Sequence, residues 1–339
     1  MKVTTFGLDL AKRVFQLHWV DMETGEICRR QLKRGEVAEF FANRAPAVVA
    51  MEACGSAHYW ARKLAAMGHE VKLIAAQFVR PFVKSNKTDA ADAQAIWEAV
   101  QRPGMKFVAV KSEGQQSVLT LHRIREQLVK MRTMQINQLR GLLYEFGADL
   151  PAGRQKGMAR IPVELAKLEP TLPAMVIETI RSQLQRLAGL DKDIAETEKK
   201  LSAWKKENAA SKKLMQIPGV GLLTATAAVA TIGDAKAFKS GREFAAFVGL
   251  VPRQSGTGGR VKLLGISKRG DVYLRTLLIH GARSVVTHQK GHEPWLDKLL
   301  ARRPFNAACV ALANKMARTI WALLAHDRTY QKGYVANVA

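Results

Sequence analysis

Cysteine is scarce in this chain of 339 residues, and Cys28, Cys54 and Cys309 form no CxxC pair. This spacing supports neither a disulfide framework nor a zinc site. The sequence also lacks a run of about eighteen or more apolar residues, and charged residues interrupt its N-terminus where a signal peptide needs apolar ones. We therefore expect no membrane partner and predict a cytoplasmic protein that acts at the nucleoid.

Acidic side chains are also scarce compared with basic ones. The chain has 53 Lys and Arg but only 29 Asp and Glu, which gives a net charge of +24 at pH 7. Residues 201–339 hold most of the excess, with 22 basic and 7 acidic side chains. This imbalance predicts a polyanionic partner, with nucleic acid the best candidate. Charge alone does not identify the activity, since ribosome-associated and membrane-surface proteins can carry the same excess.

The first 110 residues show a pattern of short strands followed by strands alternating with helices. Segments 3–10, 14–20 and 27–32 are predicted to form a strand meander. Further strands are predicted at 47–51 and 70–74, and helices at 36–43, 57–67 and 89–100. This order predicts a mixed α/β sheet covered by helices, which fits a ribonuclease-H-like fold.

Long helices are predicted for the middle of the chain. Apolar residues recur at helical spacing over 115–146, a Gly- and Pro-containing break follows over 147–162, and heptad-like spacing covers 177–201. The two helices could form an antiparallel hairpin, self-associate, or act as a spacer. We predict domains at 1–110, 111–210 and 211–330, with a tail at 331–339.

Two glycine-containing segments of the last third are suited to bind phosphate. The turn Ile217-Pro-Gly-Val-Gly221 resembles the hairpin of helix-hairpin-helix modules, in which Gly219 and Gly221 would let backbone amides hold a phosphate. Residues 249–275 are predicted to form a flexible loop with three serine or threonine hydroxyls, at Ser255, Thr257 and Ser267. The cations of this loop proposed to bind nucleic acid are Arg253, Arg260, Lys262, Lys268 and Arg269.

Four acids of the first domain form a candidate metal site. Asp9 lies in the first predicted strand, Glu52 just past the fourth, and Asp89 and Asp92 share one face at the start of a helix. We call these four residues the acidic tetrad. A ribonuclease-H-like fold would bring them together, and divalent cations would relieve their mutual repulsion. Two Mg²⁺ ions, or Mn²⁺ in their place, could then act on a phosphodiester.

Five segments carry a family resemblance: GLDLAKRVFQLHWVD, MEACGSAHYWA, KSNKTDAADAQAIWEA, IPGVGLLTATAAVATIGD and FVGLVPRQSGTGGRVKLLGISKRGDVYLRTLLIHGARS. Together they resemble the DEDD transposases of insertion-sequence family 110, relatives of the Piv and MooV invertases. The likeness covers nearly the whole chain. It implies a RuvC-like N-terminal domain joined by a coiled coil to a mostly α-helical C-terminal transposase domain.

The resemblance also implies roles for particular residues. The acidic tetrad would bind metal, and a serine at or next to Ser255 would be the nucleophile of a DNA recombinase. The implied partners are donor and target DNA, a structured guide RNA from the element's own non-coding end, and further copies of the chain in a homodimer or homotetramer.

The nucleophile and the activity each leave an alternative open. Many relatives carry the serine one place further on, where this chain has Gly256, so Ser255 and Thr257 are both candidates. We prefer Ser255, since a primary alcohol is the less hindered nucleophile. The alternative activities are a Holliday-junction-type metal-dependent nuclease without a covalent serine intermediate, and a non-catalytic basic RNA-binding scaffold.

Overall fold

The computed structural model describes residues 3–83, 88–289 and 291–333. The chain folds into two compact units. The first unit runs to Glu113 and also includes Ile232–Ala237. The second unit contains Gly114–Thr231 and the chain from Phe238 onward. The predicted division into three domains stays a prediction, and most of the predicted tail at 331–339 lies outside the described residues.

The first unit is a six-stranded mixed sheet with helices. Its elements are β1 (Thr5–Leu10), β2 (Val14–Val20), β3 (Ile27–Lys33), α1 (Glu36–Ala42), β4 (Val48–Glu52), α2 (Ala57–Ala65), β5 (Glu70–Ile74), α3 (Ala76–Val79), a 3₁₀ turn (Arg80–Phe82), α4 (Asp89–Val100) and β6 (Phe107–Val108). The strand order is β3-β2-β1-β4-β5-β6. Strands β1, β4 and β5 are parallel, whereas β2, β3 and β6 pair antiparallel to their neighbours. The predicted mixed α/β sheet is confirmed, and a RuvC-like fold stays a prediction.

The two faces of this sheet differ because side chains alternate along each strand. Leu8 and Met51 point into a large apolar core that includes Phe41 of α1 and Trp60 of α2. Ala50 points to the opposite face, where α4 packs through Ala95, Ile96 and Ala99. The small side chains on this second face let α4 lie close to the sheet.

The second unit begins with long helices: α5 (Glu113–Glu145), α6 (Arg154–Leu168) and α7 (Ala174–Glu207). Arg125 contacts Glu198 at 2.7 Å and Arg132 contacts Asp191 at 2.6 Å, so α5 and α7 run antiparallel. The two predicted long helices are confirmed, while coiled-coil packing stays a prediction.

The predicted break over 147–162 is wrong in its second half, because α6 begins at Arg154 and contains Pro162. Ile161 and Leu165 are buried against the core of α5 and α7. We infer that this burial outweighs the backbone hydrogen bond that Pro162 cannot donate.

The remaining elements are α8 (Ala209–Leu214), α9 (Leu222–Ile232), a 3₁₀ turn (Ala235–Ala237), α10 (Gly241–Phe247), β7 (Pro252–Thr257), β8 (Arg260–Ile266), α11 (Val272–His288), α12 (Pro294–Leu300) and α13 (Phe305–Ala325). By length and composition α13 could cross a membrane, which is weak evidence because core helices of soluble proteins pass the same test. Helices α10, α11 and α12 pack against it, as expected of a core helix.

Candidate functional site

Asp9 and Glu52 lie at the same edge of the sheet. Strand β1 pairs parallel to β4, with Leu8 opposite Met51. Asp9 and Glu52 are the next residues of the two strands, so they lie at the same end of both. Both acids share the sheet face of Ala50, because residues two apart on a strand point the same way. Glu52 is the last residue of β4 and not just past it as predicted.

Asp89 and Asp92 lie in the first turn of α4. Thr88 caps this helix, since its hydroxyl accepts a hydrogen bond from the Ala91 amide at 3.2 Å. The helix packs on the face of β1 that carries Gly7 and Asp9. Its first turn is thereby placed beside Asp9.

The other three acids of the tetrad contribute to the electrostatics of Asp9. The pKa of Asp9 is raised from 3.8 to about 6, first by burial and then by the charges of Asp92, Asp89 and Glu52, in that order of size. Burial also raises the pKa of the nearby Cys54 thiol, with Glu52 and Asp9 contributing. The other three acids therefore lie within electrostatic reach of Asp9.

The tetrad has the right chemistry for a divalent cation. Carboxylate oxygens are the ligands that Mg²⁺ and Mn²⁺ prefer. Among the described residues, however, no three His, Cys, Asp or Glu side chains are grouped closely enough to hold a metal ion as they stand. The four acids fit a hard divalent cation by their chemistry.

The predicted flexible loop is largely a β-hairpin. Strands β7 and β8 pair antiparallel, with Ser255 opposite Lys262 and Thr257 opposite Arg260. Gly258 and Gly259 form the two-residue tip with φ of 56° and 78°, as a primed turn requires. We call residues 252–266 the serine hairpin. The sequence predicts a loop because this segment is rich in glycines and cations. Val261 and Thr257 favour a strand, but they are too few to indicate one.

The two faces of the serine hairpin carry different chemistry. Cross-strand partners share a face, so Ser255 and Thr257 lie with Arg260 and Lys262. Val261 lies on the other face. The whole segment 249–270 contains five cations and no carboxylate. Either hydroxyl is therefore presented on an exposed, cationic surface.

Arg253 and Ser267 lie outside this regular pairing. Arg253 falls at the register shift between Pro252 and Gln254. Ser267 follows β8, and its hydroxyl accepts a hydrogen bond from the Arg269 amide at 3.5 Å. Neither side chain belongs to the paired face that carries Ser255.

Arg275 fixes the base of the serine hairpin. It is 7% exposed, and its Nη1 donates to the carbonyl oxygens of Val248 and Arg269, both at 2.8 Å. Lys268 closes the same base through its amide, which donates to the Gly249 carbonyl at 3.1 Å. The sequence alone predicts no role for Arg275. The sequence feature that could have indicated this role is an arginine on the apolar face of a predicted helix, beside Leu274 and Leu278.

The helix-hairpin-helix-like turn is packed tightly at Gly219. This residue has φ of 82°, and a Cβ there would lie 2.7 Å from the carbonyl oxygen of Gly281. A Cβ on Gly221 would meet open space. Gly219 is thus needed for packing against α11, and phosphate binding at either glycine stays a prediction.

Comparison with known proteins identifies the family. Residues 211–296 match the family model described as "Transposase IS116/IS110/IS902 family", and residues 6–147 match the DEDD transposase model of IS110. The "Probable family 20 transposase" of Pseudomonas aeruginosa is 50% identical over 98% of this chain and 100% of its own length. The chain belongs to the IS110 family of transposases.

Other relatives agree with this membership. The transposase for IS1111A of Coxiella burnetii is 44% identical over 98% of this chain and 92% of its own. The transposase for IS1328 of Yersinia enterocolitica is 40% identical over 97% and 99%. This IS110-family transposase is therefore an enzyme that cuts and rejoins DNA. The DEDD class uses divalent metal ions, and the two matched regions contain the acidic tetrad and the serine hairpin.

Proposed function

We propose that this transposase exchanges DNA strands through a covalent phosphoserine at Ser255. The observation that carries the proposal is the serine hairpin itself, which presents Ser255 opposite Lys262 on an exposed face without carboxylates. Such a surface attracts a DNA phosphate and leaves the hydroxyl accessible to it. Thr257 lies on the same face and is the alternative nucleophile.

The covalent step retains the energy of the phosphodiester bond in a phosphoserine ester. Ser255 Oγ forms a bond to phosphorus as the bond from phosphorus to the DNA oxygen breaks. The serine proton passes to solvent, and the departing DNA oxygen takes a proton from solvent to become a hydroxyl. A hydroxyl of the recombining strand then attacks the phosphoserine, and the serine leaves with its proton restored. No energy source is needed, since each step exchanges one phosphate ester for another.

The cations of the serine hairpin have a separate role. We infer that Arg260 and Lys262 contact non-bridging phosphate oxygens, while Arg253, Lys268 and Arg269 bind the neighbouring DNA backbone. Backbone amides at the Gly219 turn would hold a further phosphate. The excess of 22 basic over 7 acidic side chains in residues 201–339 would also serve a guide RNA.

The acidic tetrad would hold Mg²⁺ or Mn²⁺, with two ions shared among its four carboxylates. A bound cation would supply positive charge to a DNA phosphate and remove the repulsion that raises the pKa of Asp9. Asp9, Glu52, Asp89 and Asp92 would contribute only carboxylate oxygens. This makes hard divalent cations the expected class.

Exposed apolar side chains on the long helices support self-association. Met134 of α5 is 70% exposed, Tyr144 is 68% exposed, and Met175 of α7 is 74% exposed. Contact between copies would remove such groups from water. We propose a homodimer or homotetramer that pairs through α5 and α7.

The nucleophile is tested with the element's joined ends as DNA, its non-coding transcript as RNA, and Mg²⁺. Ser255→Ala should abolish the covalent protein–DNA adduct, whereas the matched Thr257→Ala should retain it. The reverse result would assign the reaction to Thr257. DNA cleavage without any adduct in the wild-type protein would instead favour the Holliday-junction-type nuclease.

The tetrad is tested by Asp92→Asn, with Glu23→Gln as control. Glu23 is an exposed acid of the same unit. Asp92→Asn should stop cleavage and leave RNA binding unchanged, while Glu23→Gln should leave both unchanged. Equal loss of cleavage and RNA binding would indicate a folding role. RNA binding that needs no Mg²⁺, together with no cleavage by the wild-type protein, would favour the scaffold alternative.

A further inference from the structure

A groove of about 610 Å³ lies at the base of the serine hairpin. One wall is the root of the hairpin, with Pro252 and Ile266. The opposite wall is a single stripe of α13, since its residues recur at spacings of three or four: Ala307, Val310, Ala311, Asn314 and Arg318. The groove lies wholly within the second unit.

The groove combines an apolar interior with a cationic rim. Ala307 and Ala311 leave depth because their side chains are small. Trp295 supplies an aromatic wall, and its indole Nε1 donates to Glu293 at 2.6 Å, which orients the ring. This is the combination that proteins use to bind unpaired nucleotides.

Two cations lie at the rim. Lys315 Nζ is 4.8 Å from the centre of the Trp295 ring and pairs with Glu293. Arg318 is exposed, and within the described parts of the chain no ion pair to it is seen. Arg318 therefore has its charge available for an anionic ligand. A second copy of this strongly basic unit would be repelled from the same rim.

The position of the groove relates it to Ser255. Ser255 is three residue steps along the strand from Pro252, a distance of about 10 Å. One DNA strand advances about 3.4 Å per nucleotide. A base within about three nucleotides of a phosphate at Ser255 could therefore enter the groove.

We propose that this groove holds an unpaired nucleobase of the strand attacked at Ser255, with the base against Trp295 and its phosphate on Arg318. The inference rests on the proposed function, because strand exchange requires nucleotides beside the cut to leave their original partners. A site for a displaced base offsets part of the energy lost on unpairing. Stacking on an aromatic ring tolerates any base, so the groove needs no sequence preference.

The experiment uses the whole protein and a short oligodeoxythymidine that carries one 5-iodouracil, either single-stranded or annealed to its complement. Light should crosslink the single strand to the peptide that contains Trp295, as mapped by mass spectrometry. Annealing should lower the yield about tenfold, since a paired base does not enter the groove. A crosslink that maps elsewhere, with Trp295 unmodified, would overturn the proposal.

Two variants separate a filled groove from a misfolded one. Ala311→Leu should lower the crosslink about tenfold by filling the groove, whereas Ala174→Leu, at an exposed alanine that does not line it, should match the wild type. Arg318→Gln should weaken the crosslink and the exposed Arg303→Gln should not. A wild-type yield from Ala311→Leu would contradict the proposal.

Failure of this inference can be told apart from failure of the proposed nucleophile. Crosslinking requires no DNA cleavage, so Ser255→Ala should crosslink like the wild type. An adduct at Ser255 without a Trp295 crosslink would reject the groove alone. A Trp295 crosslink without an adduct would reject the nucleophile alone.

Discussion

A Cβ on Gly7 would lie 2.3 Å from the carbonyl oxygen of Ala93, which is far inside van der Waals contact. Gly7 is in β1 and Ala93 is in α4, so the glycine lets the helix backbone touch the strand. Asp9 is two residues along the same face, and Asp92 adjoins Ala93. The approach of one backbone to the other brings Asp92 near enough to contribute to the raised pKa of Asp9.

Gly7→Ala should displace α4 and separate Asp92 from Asp9. We expect a loss of about 1–3 kcal/mol in the free energy of unfolding, measured with urea, because backbone atoms cannot relax like a flexible side chain. DNA cleavage should fall more steeply than stability. Gly35→Ala is the control, since a Cβ there meets nothing within 4 Å. Equal behaviour of the two variants would show that α4 does not depend on Gly7.

Asp9→Asn should stabilise the metal-free protein above pH 6. Burial and the neighbouring acids raise the folded-state pKa of Asp9 from 3.8 to about 6, so the folded state holds its proton longer than the unfolded state. The free energy of unfolding therefore falls as the pH rises from 3.8 to about 6. Removing the charge should recover about 1–2 kcal/mol at pH 8 and nothing below pH 3.8, in urea unfolding with EDTA.

The effect of Mg²⁺ on stability can be compared between the wild-type protein and Asp9→Asn. It should raise the melting temperature of the wild-type protein and have a smaller effect on Asp9→Asn, because a bound cation needs the carboxylate. Equal stabilisation of both proteins by Mg²⁺ would place the metal elsewhere.

His122 should make the second unit sensitive to acid. It is 1% exposed, and its ring nitrogens contact the Tyr273 hydroxyl at 2.9 Å and the Thr226 hydroxyl at 3.0 Å. Burial and then the charge of Arg125 lower the pKa of His122 from 6.5 to about 4. The unfolded state binds the proton first, so stability should fall as the pH drops from 6.5 towards 4.

His122→Gln should remove about 2–3 kcal/mol of this pH dependence, measured by urea unfolding at a series of pH values. The exposed His288→Gln should leave the dependence unchanged. If the free energy of unfolding depended on pH in the same way in His122→Gln and in the wild type, His122 would be protonated in the folded protein at acid pH.

Arg275→Met should loosen the serine hairpin at its base. The substitution leaves the carbonyl oxygens of Val248 and Arg269 without their donor, which should cost about 2–4 kcal/mol. Hydrogen exchange should then speed up at the amides of Ser267 and Lys268, which pair with Val251 and Gly249. The exposed Arg283→Met serves as control. Unchanged exchange in Arg275→Met would show that the base holds without the guanidinium.

Local sequence patterns were enough to predict most elements of the first unit. A high content of β-branched and aromatic residues located β1 and β2, and the two long helices followed from the regular spacing of their apolar residues. Strand β6, with only two residues at Phe107–Val108, was missed because so short a segment has no periodicity. Helix α6 was not predicted because Pro162 suggests the end of a helix. The helix is buried against α5 and α7, and such burial depends on tertiary packing.

The parallel pairing of β1 and β4 explains why Asp9 and Glu52 lie at the same end of neighbouring strands, while their role as a metal-binding set with Asp89 and Asp92 stays a prediction. The serine hairpin was recognised by its residues but not by its shape, since glycines at 258 and 259 suit a loop and a primed turn equally. Arg275 and His122 were missed for another reason. Their partners, such as Arg269 and Tyr273, are identified only when separate elements pack together.

The most direct test of a covalent phosphoserine is mass spectrometry of the trapped protein–DNA complex after nuclease digestion. The reaction should use the wild-type protein, the element's joined ends, its non-coding transcript and Mg²⁺. We predict a nucleotide attached through phosphate to Ser255, with Thr257 and Ser267 unmodified. Cleaved DNA with an unmodified Ser255, or a nucleotide on Thr257 or Ser267, would contradict it.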